Sequence, residues 1–281
     1  NGSILRLFQK YKINEFYNLA AQSFVKSSFQ VPLNTADSTA LGVLRILEII
    51  RNFYPKVKFY QASSSEMFGK TNGKNQSEKT IFYPRSPYAV SKVFAHDITV
   101  NYRESYKLFL CSGILFNHES PLRGEEFVTR KITKSICEYY FGKRKYFELG
   151  NLDAKRDWGY AEDYVEAMWK MLQYKKPDDY VVGTGKSYSV RDFLKECCDY
   201  LNLKVVFKNK GTKEEVAINK KTGKIFMKIN KRFFRPTEVD TLKADYSKAK
   251  KILNWEPKTS FKNLVKKMMD SDFKEIKRDF N

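Results

Sequence analysis

The stretch V-K-F-Y-Q-A-S-S-S-E-M-F-G at Val57–Gly69, followed by F-Y-P-R-S-P-Y-A-V-S-K at Phe82–Lys92, decides how the rest of the chain is read. Val57–Ala62 is a short β-rich run that breaks into three serines and a carboxylate at Ser63–Glu66. Ser86–Tyr106 reads as a helix that Pro87 opens. Working outward, Asn1–Lys12 predicts a helix, Ile13–Leu19 a strand ending in A-A-Q-S, and Thr35–Phe53 a strongly amphipathic helix. Leu108–Phe116 is almost continuously apolar, as a strand covered on both faces requires. Strand and helix alternate with short links, which predicts an α/β fold with a doubly wound parallel sheet.

Within that frame, Tyr88 and Lys92 share one helix face, and an ammonium near a phenol favours the phenolate. The pair therefore suits general-base chemistry on a sugar or alcohol. Spacing alone selects nothing, because Y-x-x-x-K occurs five times, at Tyr54, Tyr88, Tyr139, Tyr200 and Tyr246. Only the copy at Tyr88 has the S-S-S-E strand end before it and S-P-Y at its helix start. Ser64 and Glu66, if the strand continues through them, point to the same side.

Beyond Phe116 the texture becomes more polar. Helices are expected leading through Phe141, over Glu162–Tyr174 and over Val190–Leu201, with strands at Lys145–Leu149, Tyr180–Val182 and Lys204–Phe207. The lysine-rich stretch Lys208–Asn230 reads as an exposed loop or hairpin. At 281 residues and 42% apolar, the chain can bury a full core. No run approaches the roughly 20 apolar residues a membrane helix needs. The four cysteines lack metal-ligand spacing and there are two histidines, so no metal is expected, and reduced thiols in the cytosol are the default reading. The net charge of +20 comes from scattered lysines with acids among them, so a nucleic-acid partner is not the reading adopted; such a partner would bind with a steep salt dependence.

These residues resemble the GDP-mannose 4,6-dehydratases, an extended short-chain dehydrogenase/reductase family, from about residue 1 to the last helix. Besides the two stretches above, the resemblance is carried by Y-N-L-A-A-Q-S (Tyr17–Ser23), G-I-L-F-N-H-E-S-P (Gly113–Pro121) and F-V-T-R-K-I-T (Phe127–Thr133). G-N-L-D-A-K-R-D-W-G (Gly150–Gly159), D-Y-V-E-A-M-W (Asp163–Trp169) and R-P-T-E-V-D (Arg235–Asp240) complete it. The family's N-terminal strand–helix–strand block with its Gly-rich, pyrophosphate-seating turn has no counterpart here, and the expectation is a fragment of a longer protein. The resemblance thus implies a truncated NADP-binding Rossmann domain over residues 1–116. It implies a smaller C-terminal α/β domain for the GDP-sugar over residues 117–281, with some segments returning to the first sheet.

The implied reaction oxidises C4 of the mannose, eliminates water across C5 and C6, and returns the hydride to C6. Tyr88 would be the base for the 4-hydroxyl, Ser64 its hydrogen-bonding partner and Glu66 the base for C5. Lys92 would tune Tyr88 and hold the cofactor ribose. Glu66 is what distinguishes an elimination from an epimerisation. Further implied NADP contacts are Leu19, Ala20, Ala21, Gln22, Ser23, His118 and Arg123; Asn117, Lys131, Arg156, Arg235 and Glu238 would face GDP-mannose. A homo-oligomer is also implied. Phe24 stands where the family usually has His, Asn34 where it has Tyr, and Ser64 where it has Thr. Two other readings remain: an inactive homologue acting as a binding or assembly partner, which tight NADP binding would exclude, and another nucleotide-sugar dehydratase or epimerase.

Overall fold

The computed structural model describes residues 2–278 except Asn72, Arg235, Glu238 and Asp240. In chain order, α1 (Gly2–Lys10), β1 (Glu15–Asn18), α2 (Val25–Ser28) and α3 (Pro32–Ala36) run, through a π-turn at Asp37–Leu41, into α4 (Gly42–Phe53) and then β2 (Lys58–Ser64). After a 3-10 turn at Ser65–Met67 come α5 (Pro87–Tyr106), β3 (Leu110–Leu115), β4 (Asn117–Glu119), α6 (Val128–Tyr140) and β5 (Phe147–Leu149). β6 (Lys155–Arg156), β7 (Trp158–Tyr160), α7 (Ala161–Gln173), β8 (Asp179–Val182), β9 (Tyr188–Ser189) and α8 (Val190–Tyr200) follow. The chain ends with β10 (Val205–Lys208), β11 (Val216–Asn219), β12 (Ile225–Ile229), α9 (Ser247–Leu253) and α10 (Phe261–Arg278).

The central sheet is parallel, in the order β1-β2-β3-β8. Side chains alternate across it. Phe59 and Leu110 join Phe8, Leu47 and Ile50 of α1 and α4 on one face, while Tyr60 and Cys111 join Met171 of α7 and Trp255 on the other. Helices therefore cover both faces, and the chain has the doubly wound α/β architecture, with a strand from its later half closing one edge. Each such fully buried Leu or Phe stabilises the fold by roughly 1.5–3 kcal/mol.

A second sheet, in the order β10-β11-β12-β5, packs against α6, α8 and α10. The stretch Lys208–Asn230, expected as an exposed loop or hairpin, contains an antiparallel hairpin whose one face is buried rather than exposed. Ala217 sits opposite Met227, and both are fully buried together with Phe226. Beneath it the buried Arg191 guanidinium pairs with Glu215 and, at 2.7 Å, with Asp153. The lysines lie on the outside of a packed element. The helix expected from Thr35 also starts earlier, because Pro32 fits a first helical position.

Two short ladders pair β4 with β7 (parallel) and β6 with β9 (antiparallel). Asp157, fully buried beside Arg156, ties this region together by accepting from Thr184 N and Oγ1, Gly185 N and Ala244 N.

Candidate active site

At the carboxyl end of β2 the backbone is still extended at Ser64 (φ −144°, ψ 141°) and then closes into the 3-10 turn. Ser64 Oγ accepts the Glu66 N–H at 3.2 Å. The conditional alternation of Ser64 and Glu66 along a continuing strand does not apply. The turn does what the strand was expected to do, bringing both side chains to the same cleft. Gly69 then adopts a left-handed conformation (φ +53°), and a Cβ there would lie 1.8 Å from Tyr83 O. That close approach lets Tyr83 N reach Met67 O at 3.0 Å and folds the loop back under the start of α5. Ser86 caps α5, its Oγ accepting from Ala89 N at 3.1 Å, with Pro87 in the first turn.

Capped in this way, α5 aims Tyr88 and Lys92 at β2. Lys92 Nζ donates to Ala62 O at 2.6 Å and lies 5.8 Å from the Tyr88 ring centroid. Ser64, Glu66, Tyr88 and Lys92 are all at most 9% exposed and all line one cleft of about 950 Å³. Burial pushes the Tyr88 phenol up to about 12, against the pull of the Ser64 hydroxyl and of Arg123. The expected downward shift is therefore not what these side chains produce by themselves; desolvation exceeds it. Burial likewise lowers Lys92 to about 8.

Leu19, Ala21 and Ser23, at the end of β1, line the same cleft as Lys92, His118 and Arg123. Ala20 and Gln22 are not in its lining: Ala20 faces solvent, and Gln22 N donates to Thr39 Oγ1 while Gln22 Nε2 donates to Phe24 O. His118 lies parallel to Tyr164 at 5.0 Å, its Nδ1 2.9 Å from Phe116 O, and burial lowers its pKa to about 4. Gly159 makes room for that stack, since a Cβ there would lie 2.4 Å from the Tyr164 ring. Arg123 lies over Phe127 at 3.6 Å, with Nε 3.3 Å from the buried Glu119, whose carboxylate also accepts from Thr129 Oγ1 at 2.6 Å. Phe24 meets the other side of this group, edge-on to Phe127 at 5.7 Å. Asn34 is exposed and away from the cleft.

Asn117, Lys131 and Arg156 also line the cleft. Arg156 Nη1 donates to Val239 O at 2.7 Å, so its guanidinium also fastens the segment that runs from the Lys231–Phe233 turn toward α9. Lys131 Nζ stands 3.3 Å over the Phe233 ring, and burial, with Arg232, Arg144 and Lys26 nearby, lowers it to about 8. Arg235 and Glu238 lie outside the described residues. The motif reading missed Phe233 and Lys26, which form the mouth: Lys26 Nζ donates to Arg232 O at 2.5 Å across it. Phe233 stands two residues before the R-P-T-E-V-D motif, so its place beside that motif was the available signal. His96, eight residues after Tyr88, was missed as well.

A parallel sheet wound on both faces, with a serine, a tyrosine and a lysine meeting at its carboxyl edge, defines an extended short-chain dehydrogenase/reductase. Solved structures agree on the fold. RMD from Pseudomonas aeruginosa complexed with NADPH matches with a TM-score of 0.78 at 19% identity, over 93% of this chain and 82% of that one. UDP-glucuronic acid 4-epimerase from Bacillus cereus gives 0.80 at 20%, over 98% and 79%. Residues 1–268 match the family model described as GDP-mannose 4,6 dehydratase. The GDP-mannose 4,6 dehydratase of Drosophila melanogaster is 50% identical over 99% of this chain and 71% of its own length, and that of Homo sapiens 48% over 96% and 73%. The chain belongs to the GDP-mannose 4,6-dehydratase family.

Proposed function

We propose that this chain converts GDP-mannose to GDP-4-keto-6-deoxymannose. The observation that carries the reading is the convergence of Glu66 with Ser64, Tyr88 and Lys92 on one buried cleft end. An epimerase needs the last three; elimination needs a carboxylate for C5 as well. The cleft fits a dinucleotide: it combines a strand end with the cationic side chains of Lys92 and Arg123, suited to an anionic ligand, and the neutral imidazole of His118. NADP, when bound, supplies the acceptor for a hydride that leaves C4 and returns to C6, so the reaction has no net redox change.

The residues supply the proton chemistry. Tyr88, as phenolate, takes the proton of the 4-hydroxyl while Ser64 orients that hydroxyl. Positive charge near the phenol lowers its pKa, which is the task of the Lys92 ammonium. The 4-ketone acidifies C5–H; Glu66 removes that proton and delivers it to the departing C6 hydroxyl, releasing water. The proton acquired by Tyr88 balances the one C5 regains when hydride adds at C6. Asn117, Lys131, Arg156, Arg235 and Glu238 hold the GDP-sugar, arginine being suited to diphosphate by its planar fork. Residues 1–116 accordingly serve mainly the cofactor and residues 117–281 mainly the GDP-sugar.

Incubating the purified chain with NADP and GDP-mannose tests this directly. A 4-keto-6-deoxy product is expected; its absence with NADP bound overturns the reading. Among the described residues no helix is long and apolar enough to cross a membrane. All four cysteines are free and buried, and reduced thiols are what a cytosolic setting keeps. Exposed Phe53 on α4 and Val90 and Phe94 on α5, two helices packed together, support self-association into a homo-oligomer, to be measured by sedimentation velocity.

A further inference from the structure

Tyr88, Lys92 and His96 recur at four-residue steps along α5, and all three are buried. The first two have roles in the reaction above; the third has none there. His96 Nδ1 lies 3.0 Å from Ser63 Oγ, one helical turn beyond the point where Lys92 holds Ala62 O at 2.6 Å. Successive turns of α5 thus grip successive residues of β2, and the next residue along that strand is Ser64. There the backbone is about to leave the extended conformation for the 3-10 turn. A small rotation of the peptide between Ser63 and Ser64 would swing the Ser64 hydroxyl away from Tyr88.

The surroundings of His96 fix the ring. Phe82 packs edge-on to it at 5.3 Å. The charged groups acting on it are Asp97 and Arg103 on its own helix and Asp179 on β8, and Arg103 and Asp179 are occupied with each other through two hydrogen bonds of 2.8 and 2.7 Å. A neutral imidazole offers one donor and one acceptor, so it can hold a serine hydroxyl in either tautomer.

We infer that His96 is a positioning residue of the dehydration, acting through Ser63 to hold the end of β2 so that the Ser64 hydroxyl faces Tyr88; the role rests on the reaction proposed above. Losing one buried hydrogen bond that acts on alignment should cost the chemical step about tenfold. The His96→Ala chain is therefore expected to lose about tenfold in kcat, with KM for GDP-mannose and Kd for NADP within about twofold of the parent. His96→Asn, whose amide reaches toward the place of Nδ1, should recover most of the rate. Ser63→Ala should reproduce the loss, and the double variant should be no slower than either single one. An unchanged kcat, losses that multiply, or NADP affinity falling in step with kcat would each overturn the inference. If His96→Ala does not fold, Ser63→Ala and His96→Asn carry the same decision.

A readout independent of activity separates this inference from the reaction itself. The chain has two histidines, His96 and His118, so their imidazole nitrogens are readily assigned by NMR. Ser63→Ala should move the His96 signals and leave those of His118 in place. Unmoved His96 signals refute the contact whether or not product forms. Moved signals in a chain that binds NADP and makes no product refute the reaction, and with it the positioning role.

Discussion

At the inner end of the cleft, Ser64, Glu66, Tyr88 and Lys92 have almost no contact with solvent, whereas at the mouth Arg144 and Arg232 are exposed and Lys26 is half-covered. The inner end rests on the parallel sheet and the capped start of α5. The mouth rests on the β11–β12 hairpin, which leads directly into the Lys231–Phe233 turn. Burial makes the inner groups strongly responsive to each other and to a bound cation. Exposure leaves the outer ones screened, useful for attracting and holding an anion but less so for moving protons.

That contrast is most severely tested at the inner end. Tyr88→Phe and Glu66→Gln should each lower kcat by about 10²–10⁴-fold, the usual contribution of a positioned acid or base. Tyr88→Phe should stop the first hydride transfer; Glu66→Gln should block elimination, with NADP affinity largely unchanged in a titration. Equal loss of rate and cofactor affinity in Glu66→Gln would show that the inner end serves binding as much as chemistry. The next largest effect belongs to the hairpin. Arg191→Ala leaves Glu215 buried without its main cation and should cost roughly 3–5 kcal/mol of stability, read from denaturant unfolding. A loss below about 1 kcal/mol would mean that the mouth does not depend on that pair.

The sheet was legible because alternation and near-continuous apolar strands follow directly from burial on both faces. The four inner residues were legible because their motif places two on a strand end and two on one helix face. Four things were not. Whether Ser64–Glu66 stays extended depends on a turn stabilised by Gly69 and Tyr83, far along the chain from Ser64. The phenol's direction of shift depends on how completely Tyr88 is enclosed, a tertiary property that an i,i+4 spacing cannot report. In Val216–Ile229 the lysines outnumber the buried Ala217, Phe226 and Met227, so charge masked how far the expected hairpin packs into the core. His96 was hidden because its partner Ser63 was read as one of three similar serines.

The capping hydrogen bond at the inner end supplies a milder test. Ser86→Ala should cost about 1 kcal/mol, and because the cap sets the direction of Tyr88, it should lower kcat more than it raises KM. A change in KM alone would mean that the start of α5 positions substrate instead of the phenol.

The smallest expected effect lies at the mouth and concerns pH. Burial and the neighbouring Arg232, Arg144 and Lys26 lower Lys131 to about 8. A lysine is charged below its pKa, so its attraction for a diphosphate is present at pH 7 and fades as pH rises through 8. If only the charged form binds, KM for GDP-mannose should rise about fourfold between pH 7 and 8.5. Lys92 is lowered to about 8 as well, but it sits at the inner end, where its discharge should appear in kcat. Lys131→Arg keeps the charge over this range and should flatten the KM profile while leaving that of kcat alone. A KM that still rises fourfold in Lys131→Arg would mean that the inner lysine governs binding too, and the two ends of the cleft would no longer be separable by burial.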